Sequence, residues 1–360
     1  MNFSQNLLNW YWRNSRALPW RSDNNPYQIW ISEVIMQQTR IAQGTAYYHS
    51  FIKAFPNVQA LAEASEEDVL NIWKGLGYYS RARNLHSAAQ TIVSHYDGLM
   101  PDTYKGLLKL KGIGPYTAAA IASIAYGEAV AVLDGNALRV YARYCGISDP
   151  VDHPSGINQC RMAALGLIDR SHPGDYNQAV MELGALVCKP QIPACNECPV
   201  NHSCIAVLSG KTSMLPVKNG KAKPVDRYIY YFVFMANIPE GPFIFLRHRD
   251  GKGIWKGLYD FPSIESESEL SMKQQDIIKI MTQWNLQPCN LKAFNIYGPH
   301  IHKLTHIRIV ASFIVIPIPA NEIPVLKLKK VRLNPEALSE IPIPRLIEIF
   351  LDKTWGIKTR

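Results

Sequence analysis

At 360 residues, with 47% of them hydrophobic, the chain is long enough for two domains with separate cores, and extended disorder is excluded as the default. The net charge of +9 suits a polyanionic partner such as nucleic acid. Met1-Asn-Phe-Ser-Gln-Asn lacks the basic-then-apolar order of a secretory signal, and apolar runs such as Ala311 to Pro319 are too short to span a bilayer. The expectation is a soluble cytoplasmic protein with no membrane partner.

Residues 1 to 208 read as helical throughout, with apolar residues at helical spacing in Ile29, Trp30, Val34, Ile35 and in Leu61, Val69, Leu70, Trp73. Turn signals interrupt the pattern at Asn24-Asn-Pro, Phe55-Pro-Asn, Asp97-Gly and Ser171-His-Pro-Gly, and Ser65-Glu-Glu-Asp68 is a helix start. The first segment that carries chemistry is Trp30 to Thr39. Glu33 has mostly apolar neighbours there, so its carboxyl either holds a proton near neutral pH or sits on a polar surface stripe. Gln37, Gln38 and Thr39 follow as uncharged hydrogen-bonding groups of the kind that probe base edges.

Leu110-Lys-Gly-Ile-Gly-Pro-Tyr-Thr117 comes next. Gly112 and Gly114 permit a tight turn, Pro115 suits the first position of a helix, and free N–H groups there can hold a phosphate oxygen beside Lys111. An ordinary helix–turn–helix corner has the same signature. In Val132 to Arg139, Asp134 and Asn136 bracket a glycine. That is a natural helix cap, or a second carboxylate facing Glu33 of the kind glycosidic-bond cleavage uses.

Cys188, Cys195, Cys198 and Cys204 then follow at spacing C-x6-C-x2-C-x5-C, with Pro190, Pro193 and Pro199 stiffening the loop. Four thiolates can hold zinc or an iron–sulfur cluster, and the spacing leaves both open. Cys145, Cys160 and Cys289 are scattered and read as packing residues. Residues 209 to 226 are polar and basic and read as a linker able to lie along DNA. Beyond it, Tyr228 to Met235, Phe243 to Leu246 and Ile307 to Ile316 read as strands, and Leu270 to Trp284 as an amphipathic helix. The region 227–360 is therefore expected to be α+β. His300, His302 and His306 form either a metal site or a strand face near phosphates.

Taken together, Leu18-Pro-Trp-Arg21, SEVxxQQT, GLGYYxRARNL, LxGIGPYTAxA, LDGN and the four cysteines resemble the helix-hairpin-helix DNA glycosylase superfamily, and within it the MutY-type adenine DNA glycosylases. The resemblance implies a six-helix barrel, a helical domain carrying a structural [4Fe–4S] cluster on the four cysteines, and a cleft between them. It also implies a double-stranded DNA substrate in which adenine opposes 8-oxoguanine or guanine, bound by a monomer. Adenine flips from the duplex, Glu33 donates a proton to its N7, and Asp134 stabilises the positive sugar, with Tyr116 and Asn136 holding the pair. Gln178 is implied to touch the flipped adenine, and Arg21, Gln38, Thr39, Leu76 and Tyr78 to surround the opposite base. Lys111, Gly112 and Gly114 are implied to grip the backbone, and Glu182 to be a polar structural neighbour of the site.

Tyr116 occupies the hairpin position where related glycosylase/lyases carry a Schiff-base lysine, so the resemblance implies a monofunctional enzyme. The competing readings are a glycosylase/lyase for oxidised pyrimidines and a catalytically silent DNA-binding or redox module. Gly253-Ile-Trp-Lys-Gly-Leu-Tyr-Asp-Phe-Pro262 resembles the signature of the family's Nudix-like recognition domain. The acidic R-E-x-x-E-E run of Nudix hydrolases is missing, which implies lesion recognition without pyrophosphatase activity. The family's Phe-Ser-His loop is here Leu304-Thr305-His306, which keeps a hydroxyl and the histidine but loses the aromatic face.

Overall fold

The computed structural model describes residues 2–220, 224–239, 241–283, 294–319 and 328–359; Trp284 and Cys289 lie outside the described residues. The chain forms two compact units. One comprises residues 1–64 and 84–220, the other residues 65–83 and 221–360.

The first unit is helical: α1 Phe3–Asn14, a short 3-10 turn Pro19–Arg21, α2 Pro26–Met36, α3 Ile41–Ala54 and α4 Val58–Glu63. After α5 Glu66–Ile72, which belongs to the second unit, come α6 Ser80–His95, α7 Tyr104–Leu107, α8 Pro115–Tyr126, α9 Gly135–Tyr144, α10 Pro154–Leu167, α11 Pro173–Leu186 and α12 Ile205–Leu208. Sequence chemistry sets several of the starts. Asn25 accepts from the Tyr27 and Gln28 N–H groups ahead of Pro26, and Asp134 accepts from Ala137 N at the head of α9. Ala118, Ala119, Ala120 and Ala122 of α8 are fully or almost fully buried, and small side chains of this kind let its backbone pack closely on neighbouring helices. Phe3, Leu7, Tyr141, Tyr176 and Leu183 form one core that joins α1, α9 and α11.

Part of the expected linker is fastened to this unit. Leu215 is buried and its carbonyl accepts from Arg143 Nε at 2.7 Å; Val217 O accepts from Val151 N at 3.0 Å, and Asn219 N donates to the Asp152 carboxylate. A hydrophobic anchor and satisfied backbone groups thus hold a stretch whose composition alone reads as free chain.

In the second unit, Ser65 caps α5 as its sequence predicts. Among the described residues a seven-stranded mixed sheet follows, built from β1 Val225–Ile238, β2 Gly241–His248, β3 Tyr259–Asp260, β4 Ser263–Ser266, β5 Asn295–Lys303, β6 Ile307–Ile318 and β7 Lys329–Arg332. The order is β3-β2-β1-β6-β5, with β4 on β1 and β7 on β2; β1 and β6 run parallel from Val225/Ile307 to Ala236/Ile318. Ile229 to Phe234 are all buried, as a parallel central strand requires. The helices are α13 Gln274–Gln283, α14 Pro335–Ser339 and α15 Arg345–Trp355, whose Phe350 stacks on Phe313 with ring centroids 3.9 Å apart. The α+β expectation therefore holds. No helix among the described residues is long and apolar enough to cross a membrane.

Candidate active site

Glu33 lies mid-way along α2, flanked by the buried Ser32, Val34 and Ile35. The Tyr116 hydroxyl, from the first turn of α8, donates to Glu33 Oε2 in a short hydrogen bond and also lies 3.7 Å from Met181 Sδ. Burial drives the Glu33 carboxyl up to about 7. The Tyr116 bond and Arg21 oppose that rise, and the neighbouring Asp134 charge adds to it. The Tyr116 phenol is itself pushed well upward, by burial first and by Glu33 next, so it remains a neutral donor. Of the two readings of Glu33, the structure favours the carboxyl that is poised to carry a proton near neutrality.

Asp134 is the cap of α9. Its carboxylate accepts from Ala137 N at 2.6 Å and from Asn136 Nδ2 at 2.8 Å. Burial raises its pKa, while those donors and the Arg139 charge favour the ionised form. The approach to this turn is stapled by Asn177, which accepts from Val132 N and donates to Val130 O and Ser123 Oγ. Asn136 is held from behind by Arg139 Nη2 at 2.9 Å and packs on Gly184. A Cβ added at Gly184 would stand 2.7 Å from Asn136 Cβ. The cap reading and the functional reading of Asp134 are thus compatible: the same carboxylate closes the helix and acts on the charge of Glu33.

Gln178 and Met181 project from one face of α11 into a 30 Å³ cavity that Trp20, Arg21, Ile29, Ser32, Glu33 and Ile124 complete. Arg21 is therefore a neighbour of Glu33, whereas the sequence reading groups it with the opposite-base residues. Gln38 sits just beyond α2 with φ 59°, in the left-handed region; Gln37 Nε2 donates to Thr117 Oγ1, and Thr39 bonds back to Gln37 O. In the hairpin, Gly112 has φ 80° and an added Cβ would meet Asn84 Cβ at 2.5 Å, so only glycine fits; Gly114 caps α8 and Lys111 is exposed.

The four thiols Cys188, Cys195, Cys198 and Cys204 line one small cavity with Arg143, and none is in a disulfide. Arg143, almost fully buried, donates to Cys188 Sγ at 3.3 Å and to the Lys189 and Pro190 carbonyls. Arg139 donates to Cys188 O at 2.7 Å and to Gly184 O at 2.7 Å. Buried cations of this kind suit a site that must collect several thiolate charges. No group of three or more His, Cys, Asp or Glu side chains among the described residues is drawn in tightly enough to hold a single metal ion. His300 instead packs edge-on against Phe313 and Phe350, and His302 leans on Trp255.

Within the second unit, a 670 Å³ cavity is lined by Tyr78, Tyr79, Trp255, Leu304, Thr305 and His306, among others. Tyr78 is half exposed, has φ 49°, and shares a short hydrogen bond with Thr305 Oγ1. Leu76 is partly buried two residues earlier. Trp255 has φ 62°, an outlier for so bulky a residue. Arg16, Arg139, Arg143 and Asn177 carry no motif signal and emerge only from the fold, whereas Trp255 falls within the Gly253–Pro262 signature and only its left-handed backbone is new.

The chain is similar to known repair proteins. Residues 31–159 match the family described as HhH-GPD superfamily base excision DNA repair protein, and residues 233–353 match the NUDIX domain. It is 33% identical to an adenine DNA glycosylase of Buchnera aphidicola subsp. Acyrthosiphon pisum, over 97% of both chains. It is 35% identical to an adenine DNA glycosylase of Buchnera aphidicola subsp. Baizongia pistaciae, over 85% of this chain and 84% of that one. Among solved structures, a thermostable thymine-DNA glycosylase aligns with a TM-score of 0.52 at 26% identity, covering 57% of this chain and 95% of the other.

Proposed function

Because the chain belongs to the adenine DNA glycosylase family, we propose that it hydrolyses the N-glycosidic bond of adenine mispaired with 8-oxoguanine or guanine in duplex DNA, as a monomer and without a Schiff-base lyase step. The observation that carries the reading is the Tyr116–Glu33 hydrogen bond: it fixes a carboxyl raised to about 7 beside a second, capped carboxylate.

Neutral Glu33 donates its proton to N7 of the extruded adenine as the C1′–N9 bond breaks, and the bonding pair leaves with the base, which departs neutral. Positive charge develops on the sugar, and the Asp134 carboxylate stabilises it; Asn136 and Ala137 N hold that carboxylate in place. Water then adds to C1′, and the Glu33 carboxylate takes the proton that the water loses, so the acid is restored. Gln178 and Arg21, from the same cavity, are assigned to the edge of the base. A phenol at position 116 offers no amine for an imine, which supports hydrolysis over a lyase reaction.

The donor set fits an iron–sulfur cluster: four thiols share one cavity, and Arg143 and Arg139 bring positive charge to the Cys188 end. Cys188, Cys195, Cys198 and Cys204 would hold a [4Fe–4S] cluster, whose contribution is a rigid staple for the loop. Tyr78, Thr305 and His306, with the cavity they line, are assigned to 8-oxoguanine, and Leu76, Gln38 and Thr39 to the stack and pairing edge around it. Lys111, Gly112 and Gly114 are assigned to a phosphate.

The test is single-turnover release of free adenine from duplexes that pair A with 8-oxoguanine, G or C, with strand breaks scored before and after alkali. Release fastest opposite 8-oxoguanine, with breaks only after alkali, is expected. Tight binding without release, or breaks without alkali, defeats the reading.

A further inference from the structure

Glu182 is 1% exposed and accepts four hydrogen bonds from two arginines. Arg16 gives N and Nε to Oε1 at 3.0 and 2.7 Å and Nη2 to Oε2 at 2.7 Å, and Arg21 gives Nη2 to Oε2 at 3.0 Å. Arg21 Nη1 closes the network on Arg16 O at 3.1 Å. Both terminal nitrogens of Arg21 are thereby fixed, and its guanidinium carbon lies over the Tyr11 ring, 5.7 Å from the centroid. Burial alone would favour a neutral Glu182, but the Arg16 and Arg21 bonds overcome it and bring the carboxyl down to about 2. Glu182 is a permanent anion, and its cations are chosen by geometry.

The location of Arg21 gives this network its meaning. Its side chain lines the cavity that holds Glu33 and Gln178, and an isolated guanidinium there would favour the Glu33 carboxylate and remove the proton that excision requires. Glu182, Met181 and Gln178 lie on one face of α11, so the helix that presents Gln178 to the cavity also presents the counter-ion for Arg21. The groups acting on Glu33 are Tyr116 from α8, Asp134 from the head of α9, and Arg21 from the 3-10 turn Pro19–Arg21. Arg21 is the one cation among them.

We propose that Glu182 is a positioning residue for adenine excision, fixing Arg21 as an oriented donor at the base pocket while offsetting part of its charge so that Glu33 can keep its proton. The inference rests on Glu33 being the general acid. Its own content is that a buried anion with no contact to the reacting atoms sets the pH range of the reaction.

The test is the pH profile of single-turnover adenine release by Glu182→Gln, which keeps the size and one acceptor, with melting curves and DNA affinity measured alongside. The alkaline limb is expected to move about one pH unit downward, and a further Arg21→Gln change is expected to bring it back. A limb that coincides with that of the unaltered protein, or a shift that survives Arg21→Gln, overturns the proposal. If Glu182→Gln fails to fold, Arg21→Gln still tests the premise: the limb is expected to move upward, and a limb that stays put overturns the proposal. Failure of the underlying reading looks different, since the unaltered protein would then show no alkaline limb at all.

Discussion

Tyr116 donates to Glu33 across the gap between α8 and α2, and that bond is the only hydrogen bond found for the Glu33 carboxyl among the described residues. It orients the acid and at the same time restrains its upward shift. Removing the hydroxyl with Tyr116→Phe therefore has two separable effects. Adenine release slows by about tenfold, the worth of one hydrogen bond to a charged group, and the alkaline limb of the pH profile moves up. A slower reaction with an unmoved limb would mean that Tyr116 orients Glu33 without acting on its proton.

The stability of the fold also carries the signature of Glu33. Its value in the fold, about 7, lies above its ordinary 4.5, so the folded state prefers the neutral form. That contribution is intact below 4.5 and is lost as pH rises through about 7. Glu33→Gln stays neutral throughout. Its melting temperature is expected to exceed that of the unaltered chain at pH about 8 and to match it at pH about 5, while release falls by about 10² or more.

Arg139 ties Asn136 Oδ1, Gly135 O, Gly184 O and Cys188 O to one guanidinium. Arg139→Gln leaves several buried acceptors without partners. A loss of about 2–3 kcal/mol in denaturant melts is expected, with adenine release and the iron content of the proposed cluster falling together. A variant that keeps its iron but loses activity would show that only the Asn136 end of the network matters.

Thr305→Val removes the hydroxyl shared with Tyr78 while keeping the shape of the side chain. The expected outcome is about a tenfold loss in preference for 8-oxoguanine over guanine opposite adenine, with release opposite guanine little changed. Equal losses opposite both bases would remove Thr305 from lesion recognition.

How much of this was legible beforehand depends on how local the signal is. The caps at Ser65 and Asp134, the glycine turn at Gly112 and the buried strand Ile229 to Phe234 are all written in neighbouring residues. Glu33 is only half legible in this way: its apolar neighbours allow a proton-holding carboxyl, but on that stretch alone a surface carboxylate is the simpler reading. The Glu182–Arg16–Arg21 network joins residues more than 160 positions apart, and nothing in the periodicity of α11 distinguishes Glu182 from a solvent-facing acid. Arg139 and Arg143 likewise read as the polar side of an amphipathic helix until the cysteine loop is folded against them. The stretch from Leu215 to Asn219 reads as free chain because composition registers charge and glycine but not the one leucine that finds a pocket.

The contact between Gly184 and Asn136 bears on how natural variants of this chain should be read. Any side chain at 184 would have to occupy space already held by Asn136 Cβ and, at 3.0 Å, its carbonyl oxygen. Even one methyl group would displace the residue that holds Asp134. Position 184 contributes no functional group, lies fifty positions from that carboxylate in sequence, and would look harmless in a genome survey. A Gly184→Ala allele is instead expected to impair repair, read as a raised mutation frequency in a strain that carries it.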